Sequence, residues 1–372
     1  MTRDLILDCQ YGSTGKGLFA GALALLREPD TIAYAPSPNA GHTLLWNGTK
    51  FVHKMLPSGI TSPELRQIIL GPGSLINLDQ LVYEMDFLHQ HVPSFRGVDL
   101  FIHENAAVVY PRHRDEESQG GTAPGSTRQG VGAAQRERIW RKPGGNIIKF
   151  ADHPVFKQCG VINTPQMQEI YNSSQQLLIE SCQGFSLSMY HGDYPHCTSR
   201  DVTTASILSD TGVPWPRNLR IHGTFRTYPI RVANRPASGE NSGPCYPDSE
   251  EIDFCDIGQP QELTTVTQLP RRIFTWSQQQ AIEACVQNRV DYAFLNFAQY
   301  CTSFAELYDR WLRLNECTEV THMGFGPKLD DVFKVGAPEL DKERIRIIYE
   351  RYRASTAHSR VDRPAEPEQN AA

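Results

Sequence analysis

The chain contains 372 residues, of which 40% are hydrophobic, and its formal net charge is −6. Such a chain can bury a proper core in one large α/β domain or two ordinary ones, and its negative charge argues against nucleic acid as a main partner. The nine cysteines include no C-x-x-C pair, and the sequence has neither a secretory leader pattern nor an apolar run of about 18 residues. We therefore expect no zinc site, no disulfide framework, no membrane partner and a reducing, cytoplasmic location.

Short apolar runs alternate with helical patterns along the N-terminal part of the chain, which is typical of an α/β fold. Strands are predicted over 5–7, 31–35, 66–70 and 98–103. Helices are predicted over 18–26 and over 78–89, the second with Asn77 as its N-cap. Asn47-Gly48 lies between two apolar runs and predicts a β-hairpin, with a turn that extends through Lys50. The hairpin makes the predicted sheet mixed.

Two segments with little periodicity, 111–146 and 233–262, are predicted to be long surface loops, which in compact domains are usually functional or disordered. Further helices are predicted over 163–182, 278–288 and 339–353, and a buried strand over 291–297. We expect one α/β domain over residues 1–356, followed by a disordered tail over 357–372. Its core would be a P-loop-like, mixed but mostly parallel sheet, flanked by helices and carrying long functional loops.

A glycine-rich loop joins the first predicted strand to the first predicted helix, and residues 8–17 read DCQYGSTGKG. Such a turn directs backbone N–H groups and the positive end of the helix dipole at one point, where Lys16 adds a charge. The loop is too short for a Walker A motif, which also needs Ser or Thr where Gly17 stands, and it is not a Rossmann motif. We interpret it as a phosphate-binding loop. From this segment alone, an ordinary βα turn with a lysine remains the alternative.

A second polar loop, NAGHT at residues 39–43, follows the second predicted strand. In an open α/β sheet it would emerge beside the first loop, at the carboxyl ends of the strands. Gly41 permits close approach of the backbone to a ligand, and His42 titrates in a range that suits stabilisation or protonation of a transferring phosphoryl group. A structural surface histidine is the alternative interpretation.

Together with four later motifs, these two loops resemble those of adenylosuccinate synthetase, the purine enzyme that joins aspartate to C6 of IMP with GTP. Residues 56–60 read LPSGI, and residues 125–132, GSTRQGVG, are similar to the family's G-T-T-x-x-G-I-G. Residues 180–184, ESCQG, resemble E-G-A-Q-G, and residues 191–199, HGDYPHCTS, resemble H-G-T-Y-P-x-V-T-S. The resemblance implies phosphorylation of the purine O6 followed by displacement of phosphate by the aspartate amine, which depends mainly on positioning and charge neutralisation.

The resemblance also implies roles for individual residues. The catalytic positions would be Ser13, Lys16 and His42, and the Mg²⁺ ligands Ser13 and Gly41. The acceptor nucleotide would contact Ser13, Asn39, Ser126, Thr127, Arg141, Gln183, Thr198 and Val232. The donor nucleotide would contact Gly12, Thr14, Gly15, Lys16, Gly17, Gly41, His42, Thr43, Asn296, Gln299, Gly324, Gly326 and Pro327. Aspartate would contact Thr267 and Arg271.

Arg141 matches a family arginine that reaches the phosphate from the partner subunit, which implies a homodimer. By itself, Arg141 could equally belong to a solvated basic face with its neighbours at positions 136, 138 and 142. A bidentate phosphate contact is nevertheless a role that suits arginine.

The chain departs from the family at Ser13, where the family has an aspartate that acts as the base at purine N1 and as a magnesium ligand. One interpretation is loss of activity. The other is a different purine, because the short Ser13 leaves room for an amino group at C2 and offers it a hydrogen-bond acceptor. A guanine nucleotide would then replace IMP, as in the phage-type branch of the family, which acts on dGMP on the way to 2-aminoadenine DNA.

The donor and aspartate segments depart as well. Phe297 and Gln299 replace the lysine and aspartate of the family's T-K-x-D segment, whose carboxylate reads guanine. Since a missing partner in a buried site discriminates strongly, we expect ATP or dATP as the donor. In the aspartate segment, Leu269 replaces the first arginine.

The sequence therefore predicts a ligase that condenses L-aspartate with dGMP, driven by ATP or dATP and Mg²⁺, in the cytoplasm or, for a phage protein, the host cytoplasm. The alternatives are IMP-dependent adenylosuccinate synthesis and a non-catalytic nucleotide-binding regulator.

Overall fold

The computed structural model describes residues 2–119, 124–234, 241–264 and 268–361, with side chains described as far as Ala354. Within these residues, ten strands form the central sheet: β1 (Thr2–Asp8), β2 (Thr31–Tyr34), β5 (Gln67–Leu70), β7 (Asp99–His103), β9 (Gly160–Ile162), β10 (Gln176–Gly184), β11 (Leu219–Arg226), β15 (Tyr292–Asn296), β16 (Glu319–Gly324) and β17 (Val332–Lys334). Their spatial order is β17-β16-β15-β11-β1-β10-β2-β5-β7-β9. Only the β16–β17 pair is antiparallel among them, so the other nine strands end at one edge of the sheet.

Helices cover both faces of this sheet, which confirms the predicted α/β fold. They are α1 (Lys16–Arg27), α2 (Leu78–His91), α3 (Pro111–Ser118), α4 (Val131–Trp140), α5 (Thr164–Ser173), α6 (Thr204–Thr211), α7 (Gln278–Asn288), α8 (Phe304–Cys317) and α9 (Pro338–Val361). Side chains of β1 alternate between two cores, as expected for a central strand. Leu5 and Leu7 pack with α5–α9, whereas Ile6 packs with α1 and α2. No helix in the described parts of the chain is long and apolar enough to cross a membrane.

The predicted hairpin exists, but it lies outside the central sheet. Strands β3 (His42–Trp46) and β4 (Thr49–His53) form a separate two-stranded sheet. Asn47 and Gly48 both have positive φ, 48° and 77°, which is the two-residue turn that matches strand twist. The expected extension of the turn through Lys50 is therefore wrong, and the central sheet is mixed because of β17.

The helix predicted over 163–182 is wrong in its second half. Helix α5 ends at Ser173, and residues 176–184 form β10 between β1 and β2. Leu177, Leu178 and Ile179 are almost fully buried in this position. A strand that is covered on both faces shows no alternation, so periodicity cannot distinguish it from a buried helix.

The two predicted loops also contain regular structure. Segment 111–146 contains α3 and α4. The buried Glu117 carboxylate, at the end of α3, accepts the N–H groups of Gly130 (2.7 Å) and Gly132 (2.8 Å) and so stabilises the start of α4. Segment 233–262 contains β13 (Glu251–Ile252), which pairs with β14 (Arg272–Phe274), itself paired with β12 (Ile230–Arg231). Residues 120–123 and 235–240 of these segments lie outside the described residues.

The remaining strands, β6 (Leu75–Ile76) and β8 (Ala107–Val108), form a short parallel pair. At the C-terminus, α9 continues to Val361, and residues 362–372 lie outside the described part of the chain, so the disordered tail over 357–372 stays a prediction. The helix over 278–288 and the Asn77 cap, whose Oδ1 accepts the Gln80 N–H at 3.2 Å, are confirmed. The single-domain boundary at 356 stays a prediction.

Candidate functional site

A cavity of about 690 Å³ opens at the edge where the parallel strands end. Its wall contains polar and glycine residues from the ends of β1, β2, β10 and β11, together with the segment that follows α3 and the segment that precedes β14. The predicted site residues that line it are Gly12, Ser13, Gly15, Lys16, Gly17, Asn39, Gly41, His42, Thr43, Ser126, Thr127, Gln183, Thr198, Val232 and Arg271. The fold thus brings the acceptor, donor and aspartate motifs into one space.

The buried carboxylate of Asp8 shapes the glycine loop. Its Oδ1 accepts N–H groups of Gln10 (2.9 Å) and Gly12 (3.2 Å), and its Oδ2 accepts the N–H (3.2 Å) and hydroxyl (2.6 Å) of Thr14. Burial raises the pKa of Asp8. Asp8 is not among the site residues predicted from the sequence, although an Asp that binds the backbone a few residues later is a recognisable turn signal. Gly15 then enters α1 with φ of 83°, a conformation that glycine adopts without strain.

Lys16 and His42 form a buried pair at the start of α1. The Lys16 ammonium lies 3.1 Å from His42 Nδ1, and His42 Nε2 lies 3.1 Å from the carbonyl oxygen of Cys182. Both contacts are satisfied when the imidazole is neutral, with its proton on Nε2. Burial and the nearby Lys16 charge hold the pKa of His42 well below its usual value. His42 is therefore a neutral side chain before a ligand binds.

Ser13 lies exposed at the tip of the glycine loop, with φ of 58°. Arg271 donates from Nη1 to the Ser13 hydroxyl at 2.9 Å, and Arg226 donates to the Ser13 carbonyl oxygen at 3.3 Å. Two guanidinium groups from distant parts of the sequence therefore hold this residue, one through its side chain and one through its backbone.

Arg226 and Glu262 were not selected from the sequence, yet both line the cavity. The fully buried Arg226 donates to Glu262 at 2.7 Å and stacks 3.8 Å from the centre of the Phe297 ring. Glu262 also accepts the Tyr300 hydroxyl at 2.9 Å and lies 4.0 Å from Arg271. These cations hold the pKa of Glu262 below its usual value despite burial. No local sequence pattern links these residues, because their contacts join segments far apart in the chain.

Polar groups near Asn39 form a second part of the wall. Asn39 Oδ1 accepts from the Ser37 hydroxyl at 2.7 Å and from Gln183 Nε2 at 2.6 Å. Gln183 Oε1 and Thr198 Oγ1 are buried and have no hydrogen-bond partner among the described residues. Since buried polar atoms are normally satisfied, these two atoms are suited to a polar ligand.

Several predicted donor residues lie beneath the loop rather than in the cavity wall. The Thr14 hydroxyl donates to Asp8, and Asn296 donates to the Thr14 carbonyl oxygen at 3.1 Å. A Cβ atom at Gly15 or Gly324 would overlap the Asn296 side chain, so Asn296 supports the loop from below. The half-buried Gln299 follows β15, and its Oε1 is buried without a described partner.

Four other predicted residues lie away from the cavity or outside the described chain. Gly326 and Pro327 follow β16 and do not line the cavity. Arg141 is exposed at the C-terminal end of α4 and does not reach the cavity of its own chain. Thr267 lies outside the described residues.

The described residues include no group of three or more His, Cys, Asp or Glu side chains that could hold a metal. The residues that line the cavity suit Mg²⁺ only in the manner usual for nucleotide enzymes, in which the protein supplies few ligands and the phosphates supply several oxygens. The Gly41 backbone lines the cavity and fits such a role. The Ser13 hydroxyl fits it less well, because it already accepts from the Arg271 cation.

Comparisons with known proteins agree with this geometry. A family model described as adenylosuccinate synthetase matches residues 5–164 and 157–308. The N6-succino-2-amino-2'-deoxyadenylate synthase of Cyanophage S-2L is 52% identical over 355 residues, which cover 94% of this chain and 96% of that protein. The enzyme of the same name from Acinetobacter phage SH-Ab 15497 is 39% identical over 353 residues, covering 87% and 90%.

Two solved structures extend the comparison. The Cyanophage S-2L succinoaminodeoxyadenylate synthetase (PurZ), bound to dGMP and dATP as an energy donor, aligns with a TM-score of 0.90 over 95% of this chain and 99% of that one, at 52% identity. Adenylosuccinate synthetase from Plasmodium falciparum aligns with a TM-score of 0.68 at 16% identity, over 89% and 99% of the two chains, which shows a shared fold.

Proposed function

The chain belongs to the adenylosuccinate synthetase family, and we propose that it is a carbon–nitrogen ligase that joins L-aspartate to C6 of dGMP, using ATP or dATP. The product would be 2-amino-2'-deoxy-N6-succinyladenylate, an intermediate for 2-aminoadenine DNA. The observation that carries this proposal is the cavity in which the phosphate-binding loop, Lys16, His42 and a serine hydroxyl at position 13 face one another. The S-2L relative, whose structure contains dGMP and dATP, supports the choice of substrates.

Ser13 supports a guanine acceptor. Its side chain is short, and its hydroxyl oxygen has a second lone pair after it accepts from Arg271. The amino group at C2 of guanine would donate to that lone pair. Asn39, Ser126, Thr127, Gln183, Thr198 and Val232 line the rest of the cavity and would hold the sugar, phosphate and base edge.

Lys16 and the loop amides support the phosphoryl-donor role. The N-terminus of α1 and the Lys16 ammonium would attract the donor phosphates. The γ-phosphoryl group would pass to O6 of the purine, the aspartate amine would attack C6, and phosphate would leave. Neutral His42 would stabilise the transferring group by donating its Nε2–H, which in this structure lies 3.1 Å from the Cys182 carbonyl oxygen. Mg²⁺, held by the Gly41 carbonyl and phosphate oxygens, would neutralise charge on the transferring group.

Gln299 supports adenine as the donor base. An amide side chain presents both an acceptor and a donor, as adenine requires, whereas the aspartate that usually occupies this position accepts only. Its buried Oε1 has no hydrogen-bond partner in the described structure and would accept the adenine amino group.

Arg271 supports aspartate binding, since its guanidinium lines the cavity beside the purine site. Arg226, Arg271 and Glu262 together carry one excess positive charge, which a carboxylate of aspartate would neutralise. Thr267 remains a predicted contact.

Incubation of the protein with aspartate, dATP, Mg²⁺ and dGMP, GMP or IMP tests this function, with the succinylated nucleotide detected by mass. We expect product from dGMP. Product from IMP alone would identify an adenylosuccinate synthetase, and no product from any acceptor would favour a nucleotide-binding regulator. Lys16→Ala should lower kcat by at least about a hundredfold. Lys50→Ala, which removes an exposed lysine of the hairpin, is the matched control.

The homodimer has its own test. If Arg141 acts in the partner's site, Arg141→Ala and Lys16→Ala proteins should each be inactive, and their mixture should recover activity in sites that combine an intact Arg141 with an intact Lys16. Activity that stays absent after subunit exchange would contradict the shared site.

A further inference from the structure

The Ser13 hydroxyl has a hydrogen-bond partner that recognition of the purine does not require. Its Oγ accepts from Arg271 Nη1 at 2.9 Å, although the two residues are 258 positions apart in the sequence. The Arg271 side chain is 11% exposed, whereas Ser13 is exposed at the tip of the glycine loop, so this bond joins a mostly buried guanidinium to a residue at the cavity surface.

The position of the Arg271 guanidinium is set by its neighbours. Its Nε donates to the Leu263 carbonyl oxygen at 3.1 Å, and its Nη1 donates to Ser13. The carboxylate of Glu262 lies 4.0 Å away and is engaged more closely by Arg226, at 2.7 Å. Two of the acceptors of Arg271 are therefore neutral oxygens, and one of them is Ser13 Oγ.

A guanidinium held in place by neutral acceptors is pre-organised for a carboxylate. The fork of N–H donors binds carboxylates in a planar, bidentate geometry, and a donor group that is already oriented loses less entropy on binding. Loss of the Ser13 contact would give the guanidinium more freedom to rotate and would weaken carboxylate binding.

We propose that the Ser13 hydroxyl positions Arg271 for a carboxylate of aspartate, in addition to facing the purine. This inference rests on the proposed function. The substitution at position 13 that admits a guanine base would therefore also provide an anchor for the aspartate-binding arginine. The acceptor and aspartate sites would be coupled through one oxygen atom, and Ser13 would be a positioning residue for an amino acid substrate.

Steady-state kinetics of Ser13→Ala, with dGMP and dATP saturating and aspartate varied, tests the coupling. We expect KM for aspartate to rise about tenfold, as for loss of one hydrogen bond to a charged group. Ser126→Ala is a matched control, because it removes another cavity hydroxyl that lies outside the Arg271 contacts given above. It should alter KM for dGMP and leave KM for aspartate within twofold.

A double-mutant cycle with Arg271→Lys separates this role from a general effect on the loop. Lysine keeps the charge but cannot make the same forked contact. If Ser13 acts through Arg271, Ser13→Ala should change KM for aspartate by less than twofold in the Arg271→Lys background. An unchanged aspartate KM in the Ser13→Ala protein, or the same fold-change in both backgrounds, would overturn the inference. Failure of the wild-type protein to succinylate dGMP would instead reject the proposed function.

Discussion

Replacement of Asp8 by asparagine should weaken donor-nucleotide binding, because the Asp8 carboxylate holds the glycine loop in its folded shape. Each Asp8 oxygen accepts two hydrogen bonds from the glycine loop, at 2.9 and 3.2 Å for Oδ1 and at 3.2 and 2.6 Å for Oδ2. An asparagine must place its NH₂ group either against the N–H groups of Gln10 and Gly12 or against the Thr14 N–H, because the Thr14 hydroxyl can accept from the amide and donate to Thr224 instead. The change therefore removes at least one hydrogen bond and brings N–H donors face to face.

The size of the effect follows from these contacts. Hydrogen bonds to a charged group contribute about 1.5–3 kcal/mol each, so the loss of one or two of them corresponds to roughly 1.5–6 kcal/mol. Burial disfavours the Asp8 charge, as its raised pKa indicates, and a neutral asparagine avoids that penalty. We expect a net loss of about 2–4 kcal/mol, divided between the free energy of unfolding and the affinity for donor. If the whole of this loss appears in the affinity for donor, dATP affinity falls about thirtyfold to a thousandfold.

Urea unfolding and calorimetric titration of dATP measure the two parts. Asp30→Asn is the matched control, because the Asp30 carboxylate accepts from the Ser174 hydroxyl (2.6 Å) and the Gln175 N–H (2.8 Å) at the opposite edge of the sheet. That variant should lose stability but keep its dATP affinity. Unchanged stability and affinity in Asp8→Asn, or an equal loss of affinity in Asp30→Asn, would refute the reasoning.

Four further outcomes are expected. Ser13→Asp should lower kcat/KM for dGMP at least tenfold, because the longer side chain takes the space of the C2 amino group; unchanged dGMP turnover would contradict this. Gln299→Asp should reduce the preference for dATP over dGTP at least tenfold in competition assays, since the carboxylate cannot donate to adenine. His42→Asn should lower kcat by about a hundredfold or more without changing the melting temperature by more than a few degrees. Burial lowers the pKa of His53 from 6.5 to about 4, so the folded state binds the His53 proton less tightly than the unfolded state. The free energy of unfolding should therefore fall by about 2 kcal/mol between pH 7 and pH 5 through this group. The same pH dependence of stability in His53→Gln would reject that assignment.

Local sequence determined the elements that depend on neighbouring residues. The Asn77 and Ser277 caps and the Asn47-Gly48 turn form because short side chains or positive φ satisfy backbone groups within a few residues. The glycine loop belongs to this class as well, since all four Asp8 contacts join residues within six positions. For this reason a phosphate-binding role could be proposed for Lys16 before any fold was known.

Tertiary structure alone decided the rest. Strand β10 resembled a continuation of a helix because its apolar residues are buried on both faces, and only its position between β1 and β2 shows that it is a strand. The contacts of Arg226 and Arg271 with Glu262 and Ser13 join segments between 9 and 258 residues apart. Non-local contacts of this kind leave no periodicity, cap or turn in the sequence. Arg271 was predicted as a site residue, but its contact with Ser13, and the presence of Arg226 and Glu262, could be identified only after the strands had brought these segments to the same edge of the sheet.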